Sequence, residues 1–203
     1  VGTGALDTAD QSVVSRNDND DGNSDGVITL IADSIDLGTT ADRITTTGAV
    51  VLKPTTTTRS IEVSTGDLEN ADSADTEFNL STNEVEVVNA TTSGLTIGDA
   101  TYTGQITVNV DDYDFGALTI AGGNIDVVSA LTTSNNTALT LDGVGIDQSG
   151  TGTIDMGSGA ILFDAGAAAV TSVANTLTIT TTNGLTISNA TTVGATSQTD
   201  NAA

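Results

Sequence analysis

Apolar and polar residues alternate along this chain in short triplets, and the triplets return about every 21 residues. One series runs Val85-Glu86-Val87, Ile106-Thr107-Val108, Ile125-Asp126-Val127 and Ile146-Asp147, with successive steps of 21, 19 and 21 residues. A second runs Leu95-Thr96-Ile97, Leu118-Thr119-Ile120, Leu139-Thr140-Leu141 and Ile161-Leu162-Phe163, with steps of 23, 21 and 22. Side chains alternate across a strand, so the outer residues of each triplet face one side while the middle one, usually Thr, Asp or Glu, faces the other. Each triplet therefore predicts a short strand with one dry and one wet face.

The repetition extends to residue identity: residues 94–104 align with residues 184–194, and seven of the eleven positions match. Self-similarity at such a period marks stacked units, none of which buries its apolar face alone. The expected fold is all-β, a right-handed parallel β-helix of about eight or nine rungs of ~21 residues, the hand following the preference for right-handed parallel crossovers. At the strand spacing of roughly 4.8 Å such a stack is on the order of 40 Å long. Three segments follow: an extension at 1–26, the solenoid at 27–194 and a polar tail at 195–203. Further strands are expected at 27–32, 34–37, 49–53, 61–63, 78–80, 170–173, 177–180 and 185–188. Residues 65–76, with Asp67, Glu69, Asp72 and Asp75, read as an acidic loop projecting from the rod.

Composition supports this architecture. With three Phe, two Tyr and no Trp, a core of large rings is excluded, and thin stacks of Val, Ile and Leu must fill it. Thr, Val and Ile favour extended backbone, while 22 Gly and many Asn and Asp supply the turn conformations that rung corners need. No run carries apolar residues at helical spacing, and the single Pro54 stands where the strand at 49–53 should end.

Charge narrows the partners. The formal charge is −23, from 27 acidic residues against Arg16, Arg43, Lys53 and Arg59. No basic face can be assembled, so neither nucleic acid nor an anionic membrane is an expected partner. The charge reads either as solubility of a surface protein or as divalent-cation binding. There is no cysteine, no apolar stretch approaches 18 residues, and no basic segment precedes an apolar run at the start. The chain thus reads as a processed protein or a piece of a longer one, with an extracellular or cell-surface location.

Two acidic clusters carry candidate chemistry. Asn17, Asn19, Asp21 and Asp25, with Gly22 at the turn, place oxygen ligands at alternate positions as in the first nine residues of a calcium-binding loop. Asn stands at the first two positions and Ile28 at the twelfth, where the bidentate Glu would be. The plain alternative is a solvated acidic linker. Asp111, Asp112 and Asp114, beside Tyr113 and Phe115, form the second cluster, a sugar or calcium site on the rod's flank or else an ordinary loop. A glycan-active β-helix enzyme is the competing functional class. Lyase chemistry needs a base to take a proton, yet all four basic residues precede position 60 and there is no His. An acidic pair that cleaves a glycoside must stand roughly 5 to 9 Å apart, which spacing in sequence does not set. The expectation is no enzyme. Thr96, Thr119 and Thr140 occupy matching outward places, where β-branched side chains pack well side by side. Ice binding would need a flat Thr-x-Thr face, and Glu86, Asp126 and Asp147 interrupt one.

Residues 26–38 and 44–54, with 78–81, 94–98 and 138–141, resemble the repeats of large filamentous-haemagglutinin-like surface proteins of bacteria. The resemblance covers roughly residues 26–194 and implies a right-handed parallel β-helix in an exported adhesin or surface fibre. That family's amino-terminal secretion domain has no counterpart here, so the resemblance does not extend to a secretion route. No amphipathic capping helix is legible at either end, and an open terminal rung leaves strand edges and core side chains uncovered. Further repeats of a longer chain, or a second copy stacked head to tail, would cover them. In the second case the extension, with Val13 and Val14 as its strand signal, is expected to add a strand to a neighbour. The functional expectation is a section or subunit of a surface fibre, with adhesion, to host or surface glycans among other targets, as a second role.

Overall fold

The computed structural model describes residues 5–7, 13–14, 26–38, 44–64, 77–88, 94–110, 116–132, 136–150, 153–166, 169–172, 178–190 and 192–195. Among the described residues the secondary structure is nearly all β, and the strands pair in parallel as a β-solenoid of about five turns. Alternation within each strand sets the packing. In β6 (Ala49–Lys53) Val50 and Leu52 are fully buried, while Ala49, Val51 and Lys53 are partly exposed. The same pattern recurs in β9 (Gly94–Gly98), in both halves of β11 (Leu118–Val127) and β13 (Leu139–Gln148), and in β15 (Ile161–Asp164). With no ring larger than Phe or Tyr available, stacked aliphatic side chains and the buried rings Phe78, Tyr102 and Phe163 form one continuous core.

The first face stacks β3 (Ile28–Ile31), β6, β9, the first halves of β11 and β13, β15 and β18 (Leu185–Ser188). Along it Ile28 stands beside Val50, Val50 beside Leu95, Leu95 beside Leu118, Leu118 beside Leu139, Leu139 beside Ile161 and Ile161 beside Leu185. The steps are 22, 45, 23, 21, 22 and 24 residues: five ordinary turns and one of double length. The whole second triplet series is therefore in register, and Leu95 and Leu185 hold equivalent places in their strands. Thr96, Thr119 and Thr140 stand side by side on the outer surface, with Val51 and Leu162 continuing the row.

The second face runs through β7 (Ser60–Ser64), β10 (Ile106–Asn109), the second halves of β11 and β13, β16 (Ala169–Ser172) and β19 (Thr192–Ala195). Third-face strands are β12 (Leu131–Thr132), β14 (Thr153–Asp155) and β17 (Thr178–Thr180). At the corner of β11 the chain passes from first to second face through Gly122 and Gly123. Gly122 has φ +152°, and a Cβ there would lie 2.6 Å from Tyr102 Cδ1; one on Gly123 would collide with the Gly104 carbonyl. Only glycine lets the backbone pass so close to the rung below.

The double-length turn is a step backwards. After β7 the chain forms β8 (Glu77–Ser81), which pairs with β7 on the side away from β10, so Phe78 and Ile106 flank Ile61. It then makes the single helical turn α1 (Thr82–Val85), bridges Val88 to Ile44 and returns to β9 above β6. Val85-Glu86-Val87 therefore lies in α1 and its following turn, and Ile106 pairs with Ile61 instead. The reason that this triplet forms no strand is local. Ser81 caps the turn, its side chain accepting from the Glu84 N–H while Glu84 accepts from the Ser81 N–H, a reciprocal capping box that outcompetes a weak alternating pattern. This detour, together with the residues outside the stack, is also why about five turns replace the eight or nine expected from length and period.

At the amino-terminal end β4 (Ser34–Asp36) leaves β3 across Ala32 and Asp33, as β7 leaves β6, and packs against β8 of the second face. The corner is fastened by Asp33, which accepts from the Thr56 N–H at 2.8 Å and hydroxyl at 3.0 Å. β5 (Ile44–Thr45) then occupies the third face. Below these lie β1 (Ala5–Asp7), paired in parallel with β4, and β2 (Val13–Val14), paired in parallel with β5. Val13 and Val14 thus build a rung on their own chain.

Candidate functional site: the terminal rungs

Positions that are buried in every lower rung become open at the last one. Leu185 occupies the inward place held by Leu95, Leu118, Leu139 and Ile161, whose exposures are 1%, 5%, 1% and 1%; its own is 40%. Ile187 is partly buried where Ile97, Ile120, Leu141 and Phe163 are buried. Ile179 of β17 is likewise only partly covered. Among the described residues no strand pairs with the outer edges of β17, β18 and β19, one on each face. At the opposite end the outer edges of β1, β2 and β3 have no described partner either. Ile28 is buried there, Leu30 is partly covered, and Val27 just before it is 63% exposed.

The carboxylates have a largely structural use where they are described. Asp36, Asp99, Asp155 and Asp164 each accept from the backbone N–H two residues on, at Gly38, Thr101, Gly157 and Gly166, closing Asx turns at rung corners. Asp99 also receives Lys53 Nζ at 2.6 Å, a bond that ties β9 to β6 across the double-length turn. Its hydrogen bond from Lys53, followed by that from Thr101, holds its carboxyl down at about 2. Asp164 is lowered chiefly by donation from Asn189. On the second face Asp126 accepts from the Ser149 N–H and hydroxyl, and Asp147 from Asn124 Nδ2.

Glu84 differs from all of these. It is 5% exposed and accepts from the Leu37 N–H at 3.2 Å, the Ser81 N–H at 2.8 Å and the Ser81 hydroxyl at 3.0 Å, so it fastens the backward-stepping segment to the chain beyond β4. Burial raises its pKa despite these bonds. Its signal in the sequence is the Ser-x-x-Glu spacing of residues 81–84. Tyr102, buried against the Gly122 corner, has its hydroxyl raised by burial, and that oxygen has no hydrogen-bond partner among the described residues.

Asn17, Asn19, Asp21 and Asp25 lie outside the described residues, as do Asp111, Asp112 and Asp114 between β10 and β11 and the acidic segment 65–76. Among the described residues no group of three or more His, Cys, Asp or Glu side chains is placed to hold a metal ion. No family model, curated protein or solved structure matches the chain.

Proposed function

We propose that the chain is a structural section of a secreted surface fibre, in which further rungs cover the open ends of its solenoid. The observation that carries this reading is Leu185, which holds the place of a core side chain yet is 40% exposed, with no strand above it among the described residues. A stacked repeat gains its hydrophobic and hydrogen-bonding stability from neighbours above and below, so an uncovered rung is the natural place for continuation. The described carboxylates support a structural role, since they close turns and tie rungs. The likeness of residues 26–194 to filamentous-haemagglutinin-like repeats points the same way, towards an extracellular or cell-surface location, with adhesion as a secondary role. Immuno-electron microscopy of producing cells, with antibody raised against this chain, tests the reading. Label along surface fibres is expected; label confined to the cell interior would overturn it.

A further inference from the structure

Asn183 and Gly184 form an exposed bend where the chain passes from β17 into β18. Asn183 is the only asparagine of the chain that is followed by glycine. Gly184 has φ +99°, a backbone conformation that glycine adopts freely, and nothing lies within 4 Å of the place a Cβ would take. Among the described residues neither the Asn183 side chain nor the Gly184 N–H has a hydrogen-bond partner. We propose that Asn183 is a site of spontaneous covalent modification, at which the Gly184 backbone nitrogen closes on the Asn183 side-chain amide and converts the residue to aspartate and isoaspartate. This holds whether or not the chain is part of a fibre.

The chemistry needs only water and its hydroxide ion. The Gly184 nitrogen gives up its proton and attacks Asn183 Cγ, forming a C–N bond. The Cγ–Nδ2 bond breaks, and that nitrogen takes up a proton and leaves as ammonia, which closes a cyclic imide. Water then opens the imide at Cγ, giving aspartate, or at the main-chain carbonyl, giving isoaspartate, whose main chain runs through Cβ and is longer by that carbon. Nothing is oxidised or reduced. The other described asparagines, Asn79, Asn83, Asn109, Asn124, Asn136 and Asn189, precede Leu, Glu, Val, Ile, Thr and Ala, whose side chains crowd the attacking nitrogen. Asp142-Gly143 could close the same imide, but there β13 is paired with β11 and β15, and the extended backbone holds the Gly143 nitrogen away from the Asp142 carboxyl. The bend at Asn183 is anchored on both sides. The Thr182 N–H donates to the Gly157 carbonyl at 2.9 Å, and the Gly184 carbonyl accepts from the Ile161 N–H at 3.0 Å. The second bond is the link that joins Leu95 to Ala117, Leu118 to Ala138 and Leu139 to Ala160 lower in the stack. An added backbone carbon between the anchors shifts one of them, so isoaspartate loosens β18, the last strand of its face.

The test is to age the full chain in warm, mildly alkaline buffer, map its peptides by mass spectrometry and count isoaspartate by enzymatic methylation. Conversion should begin at Asn183, quicken as pH rises, and run within about tenfold of its rate in the urea-unfolded chain, because no opening has to precede it. At Asp142, by contrast, folding should slow the reaction by about a hundredfold or more. N183Q should keep the wild-type circular dichroism and lose the early signal. N183D supplies the new charge without the longer main chain, so fresh N183D should keep amide protection at residues 185–188 while the aged wild type loses it, with β13 protected in both. An Asn183 that survives in the folded chain but converts in the unfolded one, or conversion that begins at another residue, would overturn the site. Equal loss of protection in fresh N183D would overturn the lengthened backbone as the cause of loosening and assign it to charge.

Discussion

The turns from β9 to β15 and the region from β3 to Val88 are built from the same residues and hold together differently. In the first, each rung repeats the one below at 19 to 23 residues, with Leu95, Leu118, Leu139 and Ile161 in one line and Ile106, Ile125 and Ile146 in another. Neighbouring rungs are interchangeable, and stability is shared along the stack. In the second, the chain reverses its stacking order to lay β8 against β7, and specific side-chain bonds hold the result: Glu84 to Leu37, Asp33 to Thr56, and Lys53 to Asp99. A solenoid can thus absorb an out-of-order strand without losing its column, because the backbone edge of β7 accepts a parallel partner whichever way the chain arrives.

Two core phenylalanines break this comparison most sharply. Phe163 and Phe78 are 1% and 0% exposed, and truncation of either to alanine should cost about 3–5 kcal/mol. Phe163→Ala should lower the whole thermal transition. Phe78→Ala should open β8 and α1 first, seen as loss of amide protection at residues 77–88 while β11 and β13 stay protected. Uniform loss of protection in both variants would show that the detour is no separate unit.

Glu84→Ala comes next. It strands the buried Leu37 and Ser81 N–H groups, at a cost of about 2–3 kcal/mol by denaturant melt. The pH dependence has a definite sign. The folded state holds Glu84 above 4.5, favouring its neutral form, so its contribution is complete below pH 4.5 and falls as pH rises through the raised value. Above that range the difference between wild type and Glu84→Ala should narrow; a difference that widens there would contradict the burial argument.

The Lys53 to Asp99 pair is worth less, because both side chains are about a third exposed. Asp99→Asn should cost about 0.5–1 kcal/mol near neutral pH. Here the linkage runs the other way: with a folded value of about 2 against 3.8, the contribution is complete above pH 3.8 and is lost as pH falls through about 2. Equal acid sensitivity of wild type and Asp99→Asn would remove this tie from the account of the double turn. The smallest effect is expected at Tyr102, whose buried hydroxyl lacks a partner among the described residues: Tyr102→Phe should be neutral or stabilising by up to about 1 kcal/mol.

From sequence alone, the period and alternation of Leu95, Leu118, Leu139 and Ile161 determined the strand type, its inward residues and the register of the three turns between them. In parallel stacking, like residues must sit beside like residues, and a one-residue slip would expose every one of them. The Thr row and the Gly corners were legible for the same reason. The backward step was not. It depends on which neighbour β7 pairs with and on hydrogen bonds between residues 47 positions apart, such as Glu84 to Leu37, and no local pattern encodes a choice between two equally good strand edges. Nor did alternation distinguish Leu185 from its four counterparts. The same triplet is core or open end according to whether another rung lies above it, and only the tertiary structure decides that.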